Sequence, residues 1–239
     1  PAAGITTAGK LMVIIGTSSC HIVMSENAGN VPDICGSVKD GVIAGLCAHE
    51  AGQGCVGDSF DWFIKNCVPE KYAQEAKAQG KSIFAYMTEK AEALTVGESG
   101  ILVLDWWNGN RSVIPNDKLS GMILGLTLAT RPEDIYRALI ESTVFELRRV
   151  LDNYVESGVE ISSVVATGGI PLKDPMLMQI LSDTLNMSVS CLESTEATAL
   201  GSAVYGASAA GLYPTVAEAS QRMKQPIAKT YYPVAENVR

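Results

Sequence analysis

Residues 11–24 read LMVIIGTSSCHIVM, and this stretch does most to limit the choice of fold. Two apolar runs, Leu11–Ile15 and His21–Met24, flank a short segment of glycine, threonine and serine. Such a pattern predicts two β-strands joined by a tight turn. Glycine lets the backbone N–H groups of a turn approach an anion, and hydroxyl groups add uncharged donors. The turn Gly16–Ser18 is therefore a candidate anion site, although an ordinary hairpin turn has the same spacing.

The rest of the chain predicts further strands and helices in a β-rich and then alternating order. The expected strands are Val38–Cys47 (a pair around Asp40 and Gly41), Ile101–Trp106, Ile161–Thr167 and Val189–Leu192. The expected helices are Gly57–Asn66, Lys71–Leu94 with a break at Gly80, Thr130 to Gly158 with a capping box between Thr130 and Glu133, Pro175–Asn186 and Ala197–Ala210. This order favours an α/β fold with a mixed sheet flanked by helices. We expect one domain, because no repeat or linker interrupts residues 1–239.

The composition favours a cytoplasmic protein that handles small molecules. A net charge of -8 leaves little basic surface for nucleic acid, which needs Lys and Arg against its phosphates. The longest strongly apolar run ends at Ile15 and is far shorter than the ~18 residues of a membrane helix. The six cysteines show no C-x-x-C spacing and there are two histidines, so neither a zinc site nor a disulfide framework is indicated.

Two patterns that suggest catalysis fail on geometry. Gly80–Ser82 reads GKS, but a phosphate-binding P-loop needs a glycine where this chain has Glu75, and it needs a preceding strand. Cys20 and His21 are adjacent in a predicted strand, so their side chains should point to opposite faces of the sheet. A nucleophile and its base must lie within hydrogen-bond distance, which this arrangement prevents.

Other candidates are weaker on spacing alone. Gly168 and Gly169 follow a predicted strand and precede a helix, where ligands of open α/β sheets collect. Asp58, Asp61 and Asp105 are the carboxylates nearest the predicted turns, and we interpret each as a helix cap or a solvated charge rather than an acid or base.

Four segments together resemble the FGGY family of carbohydrate kinases. They are GTSSCH at 16–21, LDWWNGNR at 104–111, LSGMILGL at 119–126 and GGIPLK at 168–173. The similarity is collinear over the whole chain, and the second segment is typical of the members that act on L-ribulose. The resemblance implies an actin-like ATPase (ribonuclease H-like) fold, with residues 1–239 as the C-terminal nucleotide-binding domain and the N-terminal sugar-binding domain absent.

The same resemblance implies a set of nucleotide contacts. They are Gly16, Thr17, Ser18, Gly57, Gly168, Gly169, Lys173 and Asp174. The first three would cradle the β- and γ-phosphates of ATP, and the glycine pair would pass under the adenosine. Asp174 stands where the family usually has asparagine, which affects any contact with adenine that uses the amide. The family's catalytic aspartate aligns upstream of Pro1, so no catalytic residue and no metal ligand is assigned, and Mg²⁺ would bridge the phosphates.

The implied reaction is ATP-dependent phosphorylation of a ketopentose, L-ribulose to L-ribulose 5-phosphate in L-arabinose breakdown, with the sugar bound by the missing domain. The isolated chain is then expected to be inactive, and homo-oligomerisation is carried over from the family. Two alternatives remain at this stage. One is another FGGY kinase, of the xylulose or glycerol type, and the other is a non-catalytic actin-like module that binds nucleotide or a partner protein.

Overall fold

A computed structural model describes residues 1–27 and 29–238 of the chain. The strands are β1 (Lys10–Ile15), β2 (Ser19–Ser25), β3 (Gly36–Lys39), β4 (Cys47–Gln53), β5 (Leu102–Leu104), β6 (Met122–Leu124), β7 (Ser163–Thr167), β8 (Val189–Leu192) and β9 (Ile227–Tyr231). The helices are α1 (Gly57–Cys67), α2 (Glu70–Ala78), α3 (Ile83–Glu92), α4 (Pro132–Glu156), α5 (Pro175–Leu185), α6 (Ala197–Ala209) and α7 (Val216–Met223).

The main sheet has seven strands in the order β3-β4-β2-β1-β7-β8-β9. β1 is antiparallel to β2 and parallel to β7, which is itself parallel to β8, so the predicted mixed sheet is confirmed. In this register Ile14 pairs with Cys20 on one side and with Thr167 on the other. The turn after β1 therefore lies beside the end of β7.

Helices pack on both faces of the sheet, because the strands place apolar side chains on both faces. Leu11 and Val13 of β1 face the larger core, which also contains Phe63 of α1, Tyr154 of α4 and Leu181 of α5. The opposite face carries smaller clusters in which the chain's first residues, α6 and α7 pack on the strands. No helix in residues 1–27 and 29–238 combines the length and the apolar character that a bilayer crossing requires.

The prediction of a buried strand at Ile101–Trp106 is wrong. The strand is only β5, Leu102 is 62% exposed, and its partner is β6 in a separate two-stranded sheet. Val103 packs against the main core from outside the sheet. Leu102–Leu104 therefore form one strand of a two-stranded ribbon outside the main sheet. The other strand, β6, has three residues and is too short to be recognised from a sequence pattern.

The start of α4 also differs from the prediction. The N-cap is Arg131 rather than Thr130, because Pro132 occupies the first helical position and disfavours helical backbone at the residue before it. The Arg131 backbone N–H donates to Asp134 Oδ2 at 2.7 Å, which replaces the predicted partner Glu133 in the capping box.

The remaining differences concern loops and the end of the chain. Val38–Cys47 does contain parts of two paired strands, β3 and β4, but the connection spans residues 40–46 rather than a tight turn at Asp40 and Gly41. Helix α7 and strand β9 have no counterpart in the prediction. Residues Gly80–Ser82 connect α2 to α3, and the Ser82 side chain caps α3.

Candidate functional site

Three glycine-containing segments meet at one edge of the main sheet. Since β1 and β7 are parallel neighbours, the segments that follow them, Gly16–Ser18 and Gly168–Gly169, begin side by side. Gly57 opens α1, and its backbone N–H donates to the Gly16 carbonyl at 3.0 Å. The structure thus brings together residues that lie about 40 and 110 positions apart in the sequence.

The N-terminus of α1 holds the turn between β1 and β2 in place. Val56 N–H donates to the Thr17 carbonyl at 2.8 Å, beside the Gly57–Gly16 bond, and Gly16 N–H donates to the Ser18 carbonyl at 2.9 Å. Within the described part of the chain, the backbone N–H groups of Thr17 and Ser18 donate to no acceptor. Two free donors next to the positive end of a helix favour an anion at this turn.

Gly57 and Gly168 are required by close backbone contacts. A Cβ atom on Gly57 would lie 2.8 Å from the Gly16 carbonyl oxygen, and one on Gly168 would lie 2.2 Å from the Ile15 carbonyl oxygen. Gly168 also has a φ of 110°, which L side chains rarely adopt. Gly169 differs, because a Cβ there would meet nothing within 4 Å. This glycine therefore faces open space at the site.

Lys173 and Asp174 lie at the end of the loop that follows the glycine pair. Their backbone N–H groups both donate to the Ile170 carbonyl at 2.9 Å, and the Lys173 side chain is exposed. Asp174 is buried: Oδ1 accepts from Leu177 N–H at 3.0 Å and caps α5, while Oδ2 accepts from Thr88 Oγ1 at 3.4 Å. Burial raises the pKa of Asp174. Both carboxylate oxygens therefore already have partners within the chain.

Asp105 is a buried carboxyl, and its interpretation as a helix cap or solvated charge is wrong. It is 7% exposed, and its Oδ2 accepts from Gln53 Nε2 at 2.9 Å. The same amide donates to the Thr143 carbonyl at 2.8 Å. Burial, with repulsion from Glu146, raises the pKa of Asp105 to about 7. The sequence signal for its burial is its position between an apolar run and two tryptophans.

Cys20 and His21 point to opposite faces of the sheet, as predicted. Cys20 Sγ lies 3.5 Å from Glu50 Oε1, and burial raises the pKa of this thiol to about 12. His21 is fully buried with its Nε2 2.8 Å from Ser19 Oγ, and burial lowers its pKa to about 4. A neutral thiol and a neutral imidazole on separate faces do not form a nucleophilic pair.

The other carboxylates near the site are accessible. Asp58 is exposed in the first turn of α1, and Asp61 forms an ion pair with Lys65 at 2.6 Å on the same helix. In the described ranges, no group of three or more His, Cys, Asp or Glu side chains is arranged to hold a metal ion.

Comparison with known proteins identifies the family. Residues 11–210 match the FGGY family of carbohydrate kinases, C-terminal domain. The chain belongs to this family. The FGGY domain is 48% identical to a protein named ribulokinase from Bacillus licheniformis and 44% identical to one from Halalkalibacterium halodurans. Each alignment covers 100% of the chain but only 44% and 43% of the relative, so the chain spans less than half of these relatives.

Solved structures agree on the fold. The FGGY domain superposes on a xylulose kinase from Rhodospirillum rubrum with a TM-score of 0.82 at 22% identity, over 99% of this chain and 45% of that one. A Plasmodium falciparum glycerol kinase with ADP gives a TM-score of 0.69 at 20% identity, over 93% of this chain and 42% of that one. The actin-like ATPase fold expected from the sequence is thereby confirmed.

Proposed function

We propose that this FGGY domain is the nucleotide-binding lobe of an ATP-dependent kinase that phosphorylates L-ribulose. The observation that carries the proposal is the convergence of the turn Gly16–Ser18, the start of α1 at Gly57 and the pair Gly168–Gly169 at one sheet edge. Backbone donors, a helix N-terminus and open space beside a glycine together suit a polyphosphate followed by a flat, uncharged group.

The turn would hold the phosphates through groups that carry no charge. The free N–H groups of Thr17 and Ser18, the accessible Thr17 hydroxyl and the positive end of α1 all favour the charge of the transferring phosphoryl group. Because α1 fixes the turn through the Gly16 and Thr17 carbonyls, these donors are oriented before the nucleotide binds. Phosphoryl transfer depends mainly on such positioning and charge stabilisation.

Mg²⁺ would neutralise part of the phosphate charge when it is bound. The described residues offer no cluster of ligands for it, so we propose that phosphate oxygens and water supply most of its coordination. Asp58, an accessible carboxylate in the first turn of the helix that holds the turn, is the candidate for a contact through water.

L-Ribulose is proposed as the substrate because the curated relatives at 40–48% identity are named ribulokinase. The binding site for the sugar, and the base that accepts its hydroxyl proton, would belong largely to the portion of the relatives that this chain does not span. The chain alone is accordingly proposed to form no ADP in response to sugar.

The proposal is tested with the full-length enzyme that contains this chain. ADP formation is measured in a coupled assay with L-ribulose, xylulose and glycerol at equal concentrations. The proposal predicts the highest kcat/KM with L-ribulose. A preference for xylulose or glycerol would assign a different sugar, and ATP binding without transfer to any sugar would favour a non-catalytic module.

A further inference from the structure

A buried hydrogen-bond network links the segment 105–112 to the strand that leads into α1. Gln53 ends β4, is 2% exposed, and is the register partner of Ser19, the first residue after the phosphate turn. Its amide donates to the Asp105 carboxylate at 2.9 Å and to the Thr143 carbonyl at 2.8 Å. The orientation of Gln53 therefore depends on Asp105 on one side and on α4 on the other.

The same segment also hydrogen-bonds the neighbouring residue of β4, Gly52. Ser112 Oγ accepts from Gly52 N–H at 2.9 Å and lies 3.0 Å from the Gly52 carbonyl oxygen, to which it donates. β4 is tightly packed on β2 here, since a Cβ on Gly52 would lie 2.8 Å from the Ser19 carbonyl oxygen. The 105–112 segment thus fixes the end of β4 from two points, Asp105 and Ser112.

The end of β4 is also the start of the connection that holds the phosphate turn. Only Gly54 and Cys55 separate Gln53 from Val56, whose N–H bonds the Thr17 carbonyl. A shift at the end of β4 is therefore passed directly to the N–H groups that orient the turn. Misplacement by about 1 Å is enough to impair phosphoryl transfer strongly.

We propose that Asp105 is a positioning residue for the phosphate turn, acting through Gln53 and the β4–α1 connection. Among the described residues, its carboxylate hydrogen-bonds Gln53 and none of the residues of the turn. Its effect is on the orientation of the Thr17 and Ser18 donors, so it should act on phosphate binding and not on adenosine binding. This inference rests on the proposed function, because it requires the turn to hold the nucleotide phosphates.

The test compares ATP and adenosine affinities by calorimetry in the full-length enzyme. Asp105→Ala and Gln53→Leu should each weaken the affinity for ATP by about tenfold or more, while the affinity for adenosine changes by less than about twofold. The double variant should be no weaker than the weaker single variant, because both changes cut one link. Asp105→Asn should retain ATP affinity to within about threefold, since its Oδ1 can still accept from Gln53.

Ser182→Ala provides the control for a general loss of stability. Ser182 Oγ donates to the Met187 carbonyl at 2.8 Å at the far end of α5, so its loss should leave the ratio of the two affinities unchanged. Equal weakening of ATP and adenosine, or unchanged ATP affinity in folded variants, overturns the inference. If Asp105→Ala does not fold, the affinities of Gln53→Leu for ATP and adenosine test the inference alone, because that variant leaves the carboxyl in place. Absence of sugar-dependent ADP formation in the wild type would refute the kinase proposal separately. The ratio of the ATP and adenosine affinities would still test whether Asp105 positions the turn.

Discussion

Asp105→Asn replaces a buried carboxyl by an amide of the same shape. Burial and repulsion from Glu146 raise the pKa of Asp105 from 3.8 to about 7, so the folded chain keeps a proton that the unfolded chain has already lost. Folding is therefore favoured by this group at low pH. Its contribution is complete below pH 4 and is lost as the pH rises through 7. Asparagine has no proton to lose and should remove this dependence.

The size of the effect follows from the two pKa values. A gap of about three pKa units corresponds to an upper limit of about 4 kcal/mol, of which about 2–3 kcal/mol should be lost between pH 5 and pH 8. Burial also raises the pKa of Glu146. Since removing the Asp105 charge relieves repulsion on Glu146, the measured difference belongs to the pair and keeps the same sign.

The assay is urea unfolding of this chain, followed by circular dichroism at pH 5, 6, 7 and 8. The free energy of unfolding of the wild type should fall relative to Asp105→Asn as the pH rises, by about 2–3 kcal/mol over the range. Asp61→Asn, at an accessible carboxylate paired with Lys65, controls for the loss of one negative charge. Wild-type and Asp105→Asn curves that run parallel from pH 5 to pH 8, whatever their offset, would show that the pKa of Asp105 is not raised by folding.

Two further predictions concern the stability of the chain. Gly168→Ala should destabilise it by about 3 kcal/mol or more, because the new Cβ would meet the Ile15 carbonyl oxygen at 2.2 Å with a φ of 110°. Gly169→Ala should cost less than about 1 kcal/mol of stability, because a Cβ at this position faces open space. Similar losses of stability in the two variants would argue against the close contact between Gly168 and the Ile15 carbonyl. Tyr154→Phe should cost about 1–3 kcal/mol in urea unfolding, because the buried hydroxyl donates to the His21 carbonyl at 3.1 Å. An unchanged unfolding midpoint in Tyr154→Phe would show that this bond contributes nothing.

Local patterns in the sequence were sufficient to predict the elements that carry the candidate phosphate site. The hairpin around Gly16–Ser18 is encoded by two adjacent apolar runs, and the strand before Gly168 by a β-branched run that ends at a glycine pair. Their meeting at one edge follows from the α/β order, because parallel strands end at the same side of a sheet. The apolar run Ile101–Trp106 predicted a strand, but no local pattern indicated that β5 would pair with the three-residue strand β6 outside the main sheet.

The contacts that orient the site are long-range and have no local signature. Gln53 and Asp105 are 52 positions apart, and each looks like an ordinary polar residue until the fold buries both. The role of α1 is similar, since its helical pattern is visible in the sequence but the use of its first N–H groups to hold the Gly16 and Thr17 carbonyls is not. Such contacts depend on tertiary packing, which residue periodicity does not encode.

The variant Thr17→Val tests whether the turn Gly16–Ser18 binds the phosphates of ATP. Valine keeps the shape of threonine but removes the hydroxyl, and a hydrogen bond to a charged group contributes about 1.5–3 kcal/mol. In the full-length enzyme, calorimetry should give an ATP affinity about tenfold weaker or more, with adenosine changed by less than about twofold. Thr17→Ser, which keeps the hydroxyl, should bind ATP like the wild type. Equal loss of ATP and adenosine affinity in Thr17→Val, or no loss of either, would contradict the assignment of the turn.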